Sequence, residues 1–456
     1  MKHNKYQASA FVLFIILLVT VMPPQKARKE KASETRAFAF VNVNVVQMDK
    51  EQITKEQTVI VRGEKIVQIG PASKTKIPED AERIDGSGKY LMPGLVDMHV
   101  HLRDYTDEDM AALLQLYVAN GVTTVVNLSG IPRHLKLREK TAEGTLFGPT
   151  IYTSGPYISA TTGTSPSPEE VERAVIDQKR AGYDLIKIHG DFTREAYRKL
   201  FEIARREGRL VIGHAPRNLG IEVMIEEKQD AVAHAEEYIY DENSSTRNIA
   251  ELEPRIPMIA QATARAGTWL VPNLTAYKNI GLQVADLNAV LNRPEMKYMP
   301  PRTVEVWGET TNPYMRFKSL NLGRFWAQYR LLESLTKGFR DAGVRVLAGT
   351  DAMNPSVVPG FSLHDELRDL VAAGLTPYEA LRAATANPAE FLRASNEFGS
   401  VSPGRRADLI LLEANPHTDV RNAAKRLGVM LRGRWCPESE LRERLEKQAS
   451  FYPRSK

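Results

Sequence analysis

From residue 91 to residue 351 the chain alternates between two patterns. Short apolar, β-branched runs read as buried strands, and longer stretches with apolar residues three and four apart read as amphipathic helices. The first run ends at His101; others are predicted at 122–128, 150–154, 185–189, 210–214, 231–234, 269–272 and 344–351. Helices fit 107–120, 168–180, 194–206, 219–228 and 376–386, with Gly121 as a C-terminal stop for the first. Strands separated by helices build parallel sheets, and eight such units close best as an α/β fold, a (β/α)8 TIM-like barrel. The connection after the seventh strand, 273–343, is far longer than an ordinary loop and is rich in aromatic residues. Residues 316–341 of it supply a crossover helix. The rest is either a lid over the barrel mouth or an insertion packing a small core of its own.

The two ends of the fold have a different texture. Strand-like runs at 39–46, 58–61 and 65–70 are punctuated by Gly63, Gly70-Pro71 and Gly86-Ser87-Gly88. A second strand-rich piece covers 399–412, followed by 428–431 and the turn Arg432-Gly433-Arg434. The first piece alone would leave open sheet edges. No internal repeat or low-complexity tract interrupts the chain.

Composition narrows the picture only slightly. The 456 residues can bury a large core, and 43% hydrophobic with 26% charged residues is ordinary for a globular protein. A net charge of +5 is small for this length, and the basic residues are mixed with acidic ones, which argues against a nucleic-acid partner. Cys436 is the single cysteine, so no intrachain disulfide forms. Residues 1–30 resemble a targeting segment: Lys2, His3 and Lys5 precede the uncharged apolar run 8–22. That run suits a signal-peptide core better than a full membrane span, which needs about 20 residues. Pro23-Pro24 makes a poor cleavage site, so an uncleaved N-terminal membrane anchor stays open. The expected location is outside the cytoplasm, periplasmic or extracellular, with a possible tether to the inner membrane.

The candidate chemistry starts in Pro93-Gly94-Leu95-Val96-Asp97-Met98-His99-Val100-His101. Alternation along a strand sets Leu95, Asp97, His99 and His101 on one face. Two imidazoles about 6.6 Å apart along a strand can converge on one ion; a pair of packed histidines is the plainer alternative. Barrel active sites lie at the C-terminal strand ends. There, His214 closes 210–214, His234 closes 231–234 and Asp351 closes 344–351. Each alone could be a polar cap; together with the first pair they form a metal-ligand set.

This set resembles the amidohydrolase superfamily, whose first barrel strand carries Pro-Gly-x-x-Asp-x-His-x-His. The resemblance runs from Ala37 to about Gly433, includes Asn387-Pro388-Ala389 and Pro403-Gly404-Arg405-Arg406-Ala407-Asp408-Leu409, and is nearest to imidazolonepropionase-like and prolidase-like members. It implies a barrel over 91–395 beside a small discontinuous β-sandwich domain built from 37–90 and 396–435. It also implies that His99, His101, His214, His234 and Asp351 bind metal, with Zn²⁺ as the expected cofactor. Lys187, at the end of strand four, then becomes a carbamate by reaction with carbon dioxide and bridges two ions. If Lys187 is instead an ordinary paired lysine, His99, His101, His214 and Asp351 hold one ion and His234 helps bind substrate.

The activity so implied is hydrolysis of a C–N bond by metal-activated water, with Asp351 as general acid and base. Arg103 directly follows the metal pair, and its guanidinium suits a substrate carboxylate. His189, Arg217 and Tyr240 are further candidates for the same mouth. A dipeptide or N-acyl amino acid is the expected small-molecule substrate, and a cyclic amide is the alternative. A deaminase fits less well, given Lys187 and the lack of an extra strand-five glutamate. A non-catalytic scaffold is disfavoured because every ligand position is filled. Homo-oligomerisation stays open.

Overall fold

Strand one, Leu95–Val100, and strand two, Val122–Asn127, are buried at every position, as parallel strands covered on both faces must be. A computed structural model describes residues 36–159, 165–240, 248–319 and 321–452. The expected N-terminal targeting segment therefore lies outside the described residues; among those described, no helix is long and apolar enough to cross a membrane.

The barrel continues through Thr150–Thr153, Ile186–His189, Val211–Gly213, Ala231–Ala233 and Trp269–Val271, each pairing in parallel with a neighbour or joined by the Ser154–Leu185 bridge. The eighth strand is less regular than the expected 344–351. It touches strand seven through Leu270–Val346 and strand one through Val100–Ala352, and these two bridges close the ring. Gly349 makes that closure possible: a Cβ there would stand 2.9 Å from His99 Cβ and 2.6 Å from a Val271 methyl.

Helices Asp107–Ala119, Pro168–Ala181 and Arg194–Arg206 lie close to the predicted spans, and each starts on a hydroxyl N-cap, Thr106, Ser167 or Thr193. The expected helix 219–228 is a 3₁₀ turn, Arg217–Leu219, followed by Gly220–Glu226. The expected helix 376–386 ends at Ala383, and a separate helix, Ala386–Phe391, follows. Among helices of more than ten residues, five are not evident in the pattern: Pro132–Ala142, Ile256–Ala266, Leu274–Ala285, Phe361–Ala372 and Glu438–Phe451. None has a side-chain cap hydrogen bond at its N-terminus, so the usual start signal is missing.

The long connection resolves into Leu274–Ala285, shorter helical turns and the crossover helix Leu322–Asp341. Val290, Met296, Met299 and Trp307 of the insertion pack with Leu113, Leu116, Met353 and Val358 of the barrel body. Tyr314, at its far end, reaches the mouth cavity. The segment thus packs a core shared with the barrel and also contributes to the cavity.

Strands from both chain ends join in one eight-stranded hydrogen-bonded sheet. The joint is Tyr90–Pro93, which pairs with Asn44-Val45 on one side and antiparallel with Leu409–Leu412 on the other. Tyr90–Pro93 thus belongs by its pairing to the sheet built from both chain ends. At the other end the sheet runs on to Arg434–Pro437, and helix Glu438–Phe451 packs back on the barrel's first helix.

Candidate metal centre

Strand pairing alone brings the first three candidates together. The Asp351 backbone N–H donates to the His99 carbonyl at 2.7 Å, which sets the aspartate level with the histidine pair. His101 Nε2 stands 2.7 Å and His99 Nε2 3.3 Å from Asp351 Oδ1, and the two imidazole nitrogens are 3.2 Å apart. His234 Nε2 is 3.8 Å from Asp351 Oδ2. The His214 and His234 rings are 4.9 Å apart, and the His189 ring lies tilted 4.4 Å from His214. His234 and Asp351 adopt φ of 77° and 60°, positions that non-glycine residues rarely take, at the turn where each strand end meets the mouth.

Whether a cation fits is decided by the protons. Asn273 donates its amide N–H to the Gly349 carbonyl at 2.8 Å, so its oxygen faces His99 Nδ1 at 3.1 Å and accepts that N–H. His99 Nε2 is then a bare lone pair. Glu237 likewise accepts the His214 Nδ1–H at 2.9 Å and leaves Nε2 bare. Burial, with Lys187 nearby, holds the His99 and His214 imidazoles well below their usual range, and burial takes His234 down to about 3. Burial pushes the Asp351 carboxyl upward, yet His99, His101 and His234 hold it well below the ordinary value. Neutral imidazoles and an ionised carboxylate crowded into this space form a donor set that fits a divalent ion.

Lys187 lies on the same wall, 1% exposed, and its ammonium nitrogen has no hydrogen-bond partner among the described residues. Burial lowers its pKa to about 8, against the pull of Asp351 and Glu237. A buried amine with nothing to bind is costly as a bare ammonium. That orphaned nitrogen also fits a group that becomes an anionic ligand.

Arg103, His189, Ser129, Tyr157, Glu236 and Tyr314 join His101, Lys187, His214, His234 and Asp351 in lining a cavity of about 390 Å³. Arg217 and Tyr240 do not line it, contrary to the expectation that they face the mouth. The Arg217 guanidinium forks onto Glu237 at 2.8 and 3.1 Å and lies 3.9 Å from the Tyr240 ring centroid, which makes the pair a support for His214. Several residues here escaped the sequence pattern. Asn273, Glu237, Tyr157, Asn354 and Tyr314 lie past strand ends, where periodicity carries no signal. Asp97 shares the strand face of His99 and His101. Its carboxylate accepts the Thr350 hydroxyl at 2.6 Å and the Thr350 and His99 backbone N–H groups, bracing strands one and eight.

Asn273 gives a direct test. Replacing it with leucine removes the acceptor that fixes the His99 tautomer, and metal affinity is expected to fall about 10–100-fold. Competition with a chromogenic chelator measures this; an unchanged affinity would show that the hydrogen bond does not orient His99.

The barrel and its mouth define a class of protein, a (β/α)8 enzyme fold with a histidine–aspartate centre suited to a metal ion. Residues 90–436 match the amidohydrolase family, and the chain belongs to it. It is 28% identical over 401 residues to an imidazolonepropionase of Streptomyces coelicolor, covering 83% of this chain and 90% of that one. An adenine deaminase of Rubrobacter xylanophilus is 23% identical over 389 residues and 81% of this chain; the chain spans about half, 53%, of that relative's length. Among solved structures, a provisionally assigned prolidase of Bifidobacterium longum superposes with a TM-score of 0.69 at 26% identity, over 91% of this chain and 99% of that one. A bottromycin amidohydrolase reaches a TM-score of 0.73 over 96% and 95% of the two chains, at 23% identity a likeness of fold alone.

Proposed function

We propose that the chain is a metal-dependent hydrolase that cleaves an amide C–N bond in a small carboxylate-bearing substrate, a dipeptide or an N-acyl amino acid. The observation that supports this most is the meeting of His99, His101 and Asp351, whose ligand atoms all lie within 4.8 Å of one another at the barrel mouth. In this reading the ion is zinc, held by His99, His101, His214, His234 and Asp351, with Lys187 as a carbamate that serves a second ion. The lowered pKa of Lys187 favours that modification, because the neutral amine is the form that adds carbon dioxide.

When bound, the metal supplies Lewis acidity at the scissile carbonyl and lowers the pKa of a water to about 7. Asp351 takes the proton of the attacking water and passes it to the leaving nitrogen. Arg103 forks the substrate carboxylate. Tyr157, its hydroxyl 3.1 Å from His101 Nδ1 and its ring stacked 5.7 Å from His189, fixes that side of the cavity.

The test is a panel of dipeptides, N-acyl amino acids and cyclic amides offered to protein stripped by chelator and then reloaded with zinc. Activity is expected only after reloading; full turnover by the stripped protein, or none on any amide, overturns the proposal. Arg103→Met is expected to raise KM about tenfold or more with kcat little changed; an unchanged KM removes the carboxylate contact. The cyclic amides belong in the panel because the 28% identical Streptomyces coelicolor relative is an imidazolonepropionase.

Export is proposed as well, on the basic cap and the apolar run in residues 1–30. Cell fractionation is expected to find the protein outside the cytoplasm, either free or tethered to the membrane by an uncleaved segment.

A further inference from the structure

Two buried side-chain amides join the loop after strand eight to the insertion that carries Tyr314. Gln283 lies on helix Leu274–Ala285 and is 1% exposed; Asn312, 4% exposed, precedes the turn Pro313–Phe317. Gln283 Nε2 donates to the Asn279 carbonyl at 3.0 Å and to the Pro355 carbonyl at 3.1 Å. Both of its N–H groups are thereby used, and its oxygen faces Asn312. Asn312 Nδ2 donates to that oxygen at 2.7 Å and to the Trp307 carbonyl at 3.0 Å. Its own oxygen is left to accept the Tyr314 backbone N–H at 3.0 Å. Backbone groups thus fix the orientation of each amide, and every N–H of the pair is satisfied. Such a network is stiff, because breaking one link strands a buried polar group. Asn279 makes a second tie between the same two segments. Its Oδ1 accepts from Ser356 Oγ at 3.3 Å and from Arg293 of the insertion at 2.8 Å.

Both ends of this relay are walls of the mouth cavity. Pro355 follows Asn354, whose amide donates to Asp351 Oδ2, and Asn354 and Asp351 line the cavity. Tyr314 lines it from the other end. At about 390 Å³ the cavity is near the small end of ligand sites, so one aromatic ring on its wall takes a large share of the usable space. We infer that Tyr314 is a specificity-determining residue that limits the bulk a substrate can place against it. Gln283 and Asn312 are positioning residues that hold Tyr314 at a set distance from Asp351. The insertion is then a braced wall and not a swinging lid. The inference rests on the hydrolase reading above and concerns which substrates fit, whatever their exact class of amide.

The experiment measures two ratios of kcat/KM in zinc-loaded protein. One sets N-acetylglycine against N-benzoylglycine, bulky on the acyl side; the other sets it against N-acetyltryptophan, bulky on the amino-acid side. Tyr314→Ala is expected to move at least one ratio about tenfold toward the bulky substrate. Gln283→Met, which keeps the side-chain volume but drops the relay, is expected to move the same ratio about threefold or more. In the Tyr314→Ala background the Gln283→Met change is expected to add nothing, because there is no ring left to misplace. Asn312→Ser serves as a second relay variant if Gln283→Met does not fold. Each ratio is internal to one protein, so general damage to folding or metal loading cancels. Ratios unchanged in Tyr314→Ala overturn the inference and leave the hydrolase standing. A relay variant that leaves the ratio alone, or shifts it equally with and without the ring, overturns the positioning role. No turnover by wild type on these or any other amides takes down the hydrolase and this inference together.

Discussion

Asp351→Asn is expected to lower kcat of the metal-saturated protein by about 10³-fold while the fold survives. Asparagine has nearly the same shape, and the backbone N–H of residue 351 would still reach the His99 carbonyl at 2.7 Å. What disappears is the charge and the proton acceptor. The wild-type carboxylate stays ionised at neutral pH because His99, His101 and His234 outweigh the upward push of burial. A carboxamide can neither accept the water's proton nor return it to nitrogen. Single-turnover rates at saturating zinc separate this from weaker metal binding, and a variant with full turnover overturns the role given to Asp351.

The second large effect has opposite signs in the loaded and metal-free protein. Lys187→Met is expected to bind one ion instead of two, with turnover down about 100-fold. The metal-free variant should nevertheless be more stable than metal-free wild type at pH 7. Burial lowers the Lys187 pKa from 10.5 to about 8, so below pH 8 the native state carries an ammonium that the unfolded chain solvates better, a difference of about 3 kcal/mol. As pH rises from 8 toward 10.5 the native amine has already lost its proton while the unfolded one keeps it. Wild-type stability therefore climbs, and the gap to the methionine variant closes. Chelator-treated denaturation curves at several pH values, with metal analysis of the loaded proteins, read both halves. A methionine variant that keeps two ions excludes Lys187 as a ligand.

Local signals in the sequence hold where the chain uses them in the ordinary way. The hydroxyls of Thr106, Ser167, Thr193 and Thr376 cap their helices, and those helices are legible in the sequence. Ile131, Arg255, Asn273 and Gly360 precede helices without a side-chain cap, and those helices carry no start signal in the sequence. Asn273 explains its own case, since the side chain that could have capped Leu274–Ala285 is bound instead to His99 and Gly349.

The sequence by itself determined which residues close the strands: His99 and His101, His214, His234 and Asp351 each stand at the end of an apolar run, and period-two alternation is a property of local sterics. It also determined that eight strand–helix units alternate, which leaves a closed barrel as the natural way to bury them. Only the tertiary structure decided that Arg217 braces Glu237 instead of facing the cavity, and that Tyr314 arrives at the mouth from a distant insertion. Those outcomes depend on which charge sits nearest to which after the ring has closed through Val346 and Ala352. Such distances join residues far apart in the chain, and no local pattern encodes them.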